Sequence, residues 1–254
     1  MIHSSILHTA AFVATYLIAF LAVPVRSDLL SPLPDTATSG ALKWQPVLDF
    51  DKDSCYHVAA IDKDKNLNPG LEPRNNNLDL CRAQDRLYHS NAYSRQRCNH
   101  GWCAYMYGYY FEMDQMFAFG QNGHRHDWEF IIVWTLNDEV RFVSWSAHGD
   151  YTTAYYTGVR FEGNHPKLVY HHGAANTGSF RLAKPEDDKI ENHWGVWFKA
   201  WLVSREVVRD DIGHALMVHD WGNAHSDMKD ERFGGSLNEA MPQDARNNGF
   251  DPWA

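Results

Sequence analysis

The segment GHRHDWEFIIVW, residues 123–134, joins a dense polar motif directly to an apolar run. The apolar half, residues 130–134, is rich in β-branched and aromatic residues, which predicts a buried β-strand. The polar half holds two His, one Arg, one Asp and one Glu within seven residues. Imidazole nitrogens and carboxylate oxygens are the ligands that divalent cations take in proteins. The segment therefore predicts a metal site at the mouth of a core strand.

The geometry of a strand limits which of these side chains can act together. Because side chains alternate between faces, Asp127 and Glu129 share one face and His124 lies on the other. His124 can join the two carboxylates only if Gly123 and its neighbours turn the chain. A salt bridge from Arg125 to neighbouring acids, without a metal, is the alternative use of the motif.

Further strands are predicted on both sides of this segment from their aromatic and β-branched residues. They cover residues 102–111, 128–134, 140–147, 152–157 and 168–172. Asn137-Asp138 is a turn signal between two of them, and helical character appears only at about 204–218, with a short turn at 237–240. Strands in succession, without alternating long helices, predict a mainly β fold with some α, built on a central β-sandwich.

Three tryptophans, Trp194, Trp197 and Trp201, fall at the spacing i, i+3 and i+7. On a helix this spacing makes an aromatic stripe, which could lie in a membrane interface. We expect these side chains to be buried in the core instead.

The chain begins with an apolar run, residues 6–25, followed by Val25-Arg26-Ser27 and then by polar sequence. This pattern predicts a secretory signal peptide over residues 1–27, and a membrane anchor is the alternative. We expect an irregular N-terminal arm over 28–42 and a single domain over 43–254. The predicted location is therefore outside the cell.

The charge balance is acidic, with 23 Lys and Arg against 32 Asp and Glu, a formal net charge of −9. Such a protein is repelled by nucleic acid and by bare anionic lipid. We therefore expect no nucleic-acid partner, and membrane contact only through a specific site or a bridging cation.

The four cysteines are an even set in a chain predicted to be exported. They predict two disulfides, for which three pairings are possible. Proximity favours Cys55 with Cys81 and Cys98 with Cys103. A zinc site is the alternative, but the C-x-x-C spacing that zinc sites use is absent.

Common enzyme motifs are also absent: the sequence has no H-E-x-x-H, G-x-S-x-G or P-loop pattern. We therefore expect no enzymatic activity and name no catalytic residue. A carbohydrate-active hydrolase remains an alternative, because Asp114, Asp127 and Glu129 could flank a sugar.

The polar motif resembles the hallmark of the necrosis- and ethylene-inducing-peptide-like proteins (NLPs). Its residues are Gly123, His124, Arg125, His126, Asp127, Trp128 and Glu129. Supporting stretches lie at residues 49–51, 101–103, 110–114, 167–171 and 249–252. Four cysteines, two of them beside Gly101-Trp102, are similar to the type II branch of this family.

The resemblance implies a secreted microbial cytolysin with a β-sandwich flanked by helices, like that of actinoporins and fungal lectins. It implies peripheral binding to glycosylinositol phosphorylceramides, the sphingolipid head groups of plant plasma membranes, with Mg²⁺ or Ca²⁺ as cofactor. By matching position, Asp114 and Asp127 touch the metal, while His124 and Glu129 hold its waters. We expect a monomer in solution that induces necrosis without catalysis.

One departure from the family pattern concerns the cation pocket. The family commonly has a His in a Thr-His-x-Phe-Arg stretch, whereas this chain has Gly178 between Thr177 and Ser179. A glycine has no side chain to bind a cation. The alternative function is therefore a non-cytolytic NLP, a lectin-like binder of glycan or lipid.

Overall fold

The computed structural model describes residues 29–73, 78–116, 122–147, 149–172 and 177–254. The predicted signal peptide, residues 1–27, lies outside the described residues and stays a prediction. Among the helices in these ranges, none has the length and apolar content needed to cross a membrane.

The described part of the chain is dominated by β-strands. In chain order these are β1 Val47–Phe50, β2 Asn91–Asn99, β3 Trp102–Met116, β4 Asn122–Leu136, β5 Glu139–Ala147, β6 Asp150–Tyr155, β7 Phe161–Glu162, β8 His165–His172, β9 Gly178–Leu182 and β10 Trp201–Ser204. The helices are α1 Ser39–Trp44, α2 Leu78–Cys81, α3 Asp85–Tyr88, α4 Asp210–Val218, α5 Asp230–Ala240 and α6 Gln243–Asn247.

The strands form two sheets. The larger has six strands in the order β10-β2-β3-β4-β5-β6, and the smaller has β1-β8-β7 with β9 also paired to β8. Neighbours in the larger sheet are antiparallel except β10 and β2, which run parallel. The predicted mainly β sandwich with added helices is confirmed.

Strand β4 is buried on both faces, which explains its continuous apolar run. Ile131 and Val133 pack into a core shared with the smaller sheet, whereas Ile132 and Trp134 pack into a second core. The second core includes Leu237 from α5. The larger sheet is therefore the middle layer between the smaller sheet and the C-terminal helices.

Four of the five predicted strands lie within observed ones, and the fifth, 152–157, runs two residues past the end of β6 at Tyr155. The turn between β4 and β5 is where it was predicted. Asn137 and Asp138 both have left-handed backbones, with φ of +50° and +63°, as a two-residue hairpin turn requires. The helix predicted from 204 is shorter, because Ser204 ends β10 and α4 begins at Asp210. Helix α5 is longer than the predicted turn at 237–240.

The N-terminal arm is irregular only as far as Thr38. Its hydroxyl accepts a hydrogen bond from the amide of Ala41 and caps α1 at a distance of 3.2 Å. Four residues that we assigned to the arm, 39–42, are therefore helical.

The two disulfides join Cys55 to Cys81 and Cys98 to Cys103, so the pairing favoured by proximity is confirmed. Cys98 and Cys103 face each other across the β2–β3 hairpin. The bond between Cys55 and Cys81 closes a loop with a sequence separation of 26 residues, so it restricts the unfolded chain more than the hairpin bond does.

The expected burial of the three tryptophans is wrong for Trp194 and Trp201. Residues 194–200 are not helical, and Trp201 begins the edge strand β10. Trp194 and Trp201 are 40% and 52% exposed. For Trp201 the reason is that β10 turns the neighbouring Leu202 into the core.

Candidate functional site

A cavity of about 330 Å³ opens where β3 ends and β4 begins. Asp114, His124, Asp127 and Glu129 all line it. The structure thus brings together the four residues that the sequence assigned to the metal.

Strand pairing explains how two of these residues meet. Asp114 on β3 lies directly opposite His124 on β4, so their side chains leave the same face of the hairpin. Asp127 is paired with Phe111. In a regular strand, His124 and Asp127 would point to opposite faces.

The alternation is broken at His126, whose backbone is left-handed with φ of +64°. Arg125 and His126 consequently lie on one side, since a Cβ built on Gly70 would come within 2.6 Å of the former and 2.8 Å of the latter. This turn carries His124 round to the side of Asp127. We predicted such a turn at Gly123 and its neighbours; the structure has positive φ both at Gly123, +151°, and at His126, three residues further on.

Arg125 and His126 serve the surrounding structure instead of the cavity. Arg125 forms an ion pair with Glu72 and donates to the carbonyl of Pro69 at 2.7 Å. The salt bridge considered as an alternative is thus present, although its partner lies in a distant loop. His126 Nδ1 lies 2.6 Å from the hydroxyl of Tyr110, and burial lowers its pKa to about 4, which keeps the ring neutral.

The carboxylates of Asp114, Asp127 and Glu129 are each held by a donor from another part of the chain. Such contacts fix a carboxylate in place and are typical of groups that surround a bound metal. The donors are the Gly178 amide to Asp114 Oδ1 at 3.0 Å, the Ser146 hydroxyl to Glu129, and the Tyr170 hydroxyl to Asp127.

The imidazole of His124 is oriented in the same manner. Its Nδ1 lies 2.7 Å from the carbonyl oxygen of His126. A carbonyl only accepts, so Nδ1 carries a proton, and in the neutral tautomer with this orientation Nε2 presents its lone pair. That nitrogen faces Asp114 Oδ2 at 4.0 Å.

The electrostatics of the cavity are unfavourable without a counter-charge. Burial, followed by the charge of Asp114, raises the pKa of Asp127 well above its usual value. Burial and the charge of Asp127 raise the pKa of Glu129 in the same direction. A divalent cation would offset this repulsion, and oxygen ligands with one imidazole suit Mg²⁺ or Ca²⁺. The donor set therefore fits the predicted cofactor.

The side chains that could bind a cation line the cavity but do not converge on one position. Across the ranges that the structure describes, no three His, Cys, Asp or Glu side chains already converge as a metal cluster.

The opposite wall was not predicted from the sequence. It comes from the segment between α4 and α5, where Asp227 accepts hydrogen bonds from Tyr151 at 2.8 Å and from Arg232 at 3.0 Å. Asn223 and His225 also line the cavity. This segment follows the motif by about a hundred residues and carries no spacing that would indicate a shared site.

Comparison with known proteins gives a match to the family model "Necrosis inducing protein (NPP1)" over residues 38–240. The chain is similar to NLP effector protein 10 of Phytophthora capsici, at 29% identity over 90% of this chain and 99% of that protein. It is also similar to necrosis-inducing protein NPP1 of Phytophthora nicotianae, at 32% identity over 78% and 80%.

Solved structures share the fold. Necrosis and Ethylene inducing Protein 2, from the causal agent of cocoa's Witches Broom disease, gives a TM-score of 0.71 at 25% identity over 85% of this chain and 96% of that one. NLPPya in complex with glucosamine gives 0.69 at 25% identity over 85% and 98%. The non-toxic HaNLP3 gives 0.69 at 24% over 84% and 97%.

Proposed function

The chain belongs to the necrosis inducing protein (NPP1) family, and on this basis we propose that it is a secreted, cation-dependent effector. In this proposal it binds glycosylinositol phosphorylceramide head groups of plant plasma membranes and induces necrosis. It acts by binding and membrane damage, not by catalysis.

The observation that carries the proposal is the cavity at the end of β3 and β4. The side chains of the four predicted residues, Asp114, His124, Asp127 and Glu129, line it, and each is held in place by a hydrogen bond. Buried acids without a counter-charge are costly, so their retention in one place supports a bound cation.

Asp114 and Asp127 would hold the cation directly, and His124 and Glu129 would hold its waters. The cation supplies positive charge at the mouth of the cavity. Without it, a protein of net charge −9 and an anionic head group repel each other.

A sugar is the part of the head group that suits the rest of the cavity. Similar NLPPya structures contain glucosamine or mannosamine, which are polyhydroxylated rings. The cavity wall offers hydrogen-bonding side chains at Ser146, Asn223 and Arg232. Export is supported by the two disulfides, which persist in oxidising compartments.

Dye release from vesicles tests the proposal. Vesicles that contain the plant sphingolipid should leak when the protein and Ca²⁺ or Mg²⁺ are present, and should remain intact with a chelator. Vesicles of phosphatidylcholine alone are the control for lipid specificity. Asp114→Asn should abolish leakage, whereas Gly235→Ala, which has open space around its Cβ, should leave it unchanged. Equal leakage in chelator would refute the cation requirement.

The second candidate function is head-group binding without lysis. Gly178 favours it, because the position has no side chain to complete the cavity, and the non-toxic HaNLP3 shares the fold. Co-sedimentation with the sphingolipid vesicles, without dye release, would select this function over the first.

A further inference from the structure

Gly178 leaves a space in the cavity wall, and Tyr170 fills it. A Cβ built on Gly178 would lie 1.9 Å from the hydroxyl oxygen of Tyr170 and 2.5 Å from Cζ of its ring. These distances are far inside van der Waals contact. Tyr170 and any side chain at position 178 therefore exclude each other.

The requirement for glycine at this position is steric. The backbone of Gly178 does not have positive φ, so an L-residue could adopt its conformation. What excludes a larger residue is the phenol of Tyr170, which is 2% exposed and stacks on Phe111 with a centroid distance of 3.9 Å. Phe180 contacts the same ring edge-on at 5.4 Å.

The two positions also hold the two acids assigned to direct cation contact. The Gly178 amide donates to Asp114 Oδ1 at 3.0 Å, and the Tyr170 hydroxyl donates to Asp127. Their strands β8 and β9 are neighbours, and Tyr170 is paired with Phe180 in the ladder. One hairpin of the smaller sheet thus anchors carboxylates on both strands of the β3–β4 hairpin.

We propose that Tyr170 is a positioning residue of the cation site, and that Gly178 is present because it admits the phenol hydroxyl to Asp127. This inference rests on the proposed function, because it assumes that Asp114 and Asp127 bind the cation. It gives a physical reason for the departure from the family pattern at position 178. The glycine removes one side chain from the site and brings in another from the adjacent strand.

Tyr170→Phe tests the role of the hydroxyl while the ring contacts with Phe111 and Phe180 remain. Removing a hydrogen bond that orients a metal-bound carboxylate weakens metal affinity about tenfold or more. We expect that loss for Ca²⁺ and Mg²⁺ by calorimetry. The unfolding temperature measured in chelator should stay within about 3 °C of wild type, so a general loss of structure is separated from loss of positioning.

Gly178→Ala tests whether the absence of a side chain at position 178 is needed for the Tyr170 hydroxyl to reach Asp127. Its methyl group would displace the phenol from Asp127, so the cation affinity should fall as in Tyr170→Phe, with a lower unfolding temperature. In the double variant the two affinity losses should be less than additive, because both act on the same hydroxyl. Gly235→Ala and Tyr155→Phe are matched controls, since Gly235 has open space around it and Tyr155 is 41% exposed; both should bind the cation as wild type does.

The outcomes separate the inference from the proposed function. If wild type binds the cation and Tyr170→Phe binds it equally well, the positioning role is refuted and the proposed function stands. If wild type takes up neither ion, the proposed function is refuted, and the role of Tyr170 is refuted with it.

Discussion

His124 Nε2 and Asp114 Oδ2 face each other at 4.0 Å across the β3–β4 hairpin. Both residues are held on their other side, His124 by the carbonyl of His126 and Asp114 by the amide of Gly178. In the neutral tautomer of His124, both atoms carry lone pairs that a cation between them would accept. The hairpin register, together with the turn at His126, is what makes this contact.

Neutralising Asp127 should stabilise the protein when no cation is present. Asp127→Asn removes a partly buried charge that Asp114 repels, and we expect about 1 kcal/mol more stability in chelator by urea unfolding. In saturating Ca²⁺ the order should reverse, because only wild type gains binding energy. Glu139→Gln, at an exposed position, is the control; a less stable Asp127→Asn in chelator would contradict the repulsion.

The cation affinity should fall as the pH is lowered from neutral. The raised pKa values of Asp127 and Glu129 mean that both take up protons above the ordinary carboxyl range of about 4. Protons then compete with the cation, and binding should release protons. In chelator the same protonation removes repulsion, so these two groups favour the folded state as the pH falls towards 4. Calorimetry in buffers of different ionisation enthalpy measures the released protons; an affinity independent of pH would contradict this prediction.

His57 should make the fold sensitive to acid. The ring is fully buried, and neither nitrogen has a hydrogen-bond partner among the residues that the structure describes. Burial lowers its pKa to about 3. The unfolded chain takes up a proton below about 6.5, whereas the folded chain does not until about 3, so stability is lost at about 1.4 kcal/mol per pH unit across that window.

His57→Phe should remove this loss, because Phe preserves the contacts with Phe50 and Tyr109 and cannot bind a proton. Urea unfolding between pH 7 and pH 4 gives the slope for each variant. His214→Gln, on an exposed helix position, should retain the wild-type slope. An unchanged slope in His57→Phe would refute the assignment.

The ion pair between Arg86 and Glu112 should be important for stability near the cavity. Both side chains are buried, with Arg86 Nε 2.6 Å from Glu112 Oε2. Arg86→Met leaves the carboxylate without a partner and should cost about 3–5 kcal/mol by urea unfolding. Arg86→Met combined with Glu112→Leu should recover most of that loss; a double variant as unstable as Arg86→Met would contradict this account.

The parts of the fold that the sequence predicted well depend on local patterns. Residues 130–134 lie in a strand buried on both faces, so their apolar run is unmistakable. Asn137 and Asp138 tolerate left-handed backbones and mark the hairpin.

Helix α5 was predicted only at its C-terminal end, because Gly234 and Gly235 lower helix propensity. Gly234 is required there by Trp253, whose ring would lie 2.4 Å from a Cβ.

The candidate site was predictable only in part, because some of its residues lie far from the motif in the sequence. The residues that the sequence named for the cavity lie on one hairpin, within sixteen residues of each other. His126, with its left-handed backbone, packs against Gly70 from a distant loop, and the motif alone did not predict this conformation. Tyr170 comes from the other sheet, and its hydroxyl reaches Asp127 only because position 178 is glycine.

Calorimetric titration of Ca²⁺ and of Mg²⁺ into the purified protein tests the central claim most directly. The account predicts uptake of a single divalent ion by wild type, and binding about tenfold weaker or worse for Asp114→Asn. Wild-type protein that binds neither ion, or an Asp114→Asn variant that binds as tightly as wild type, would contradict it.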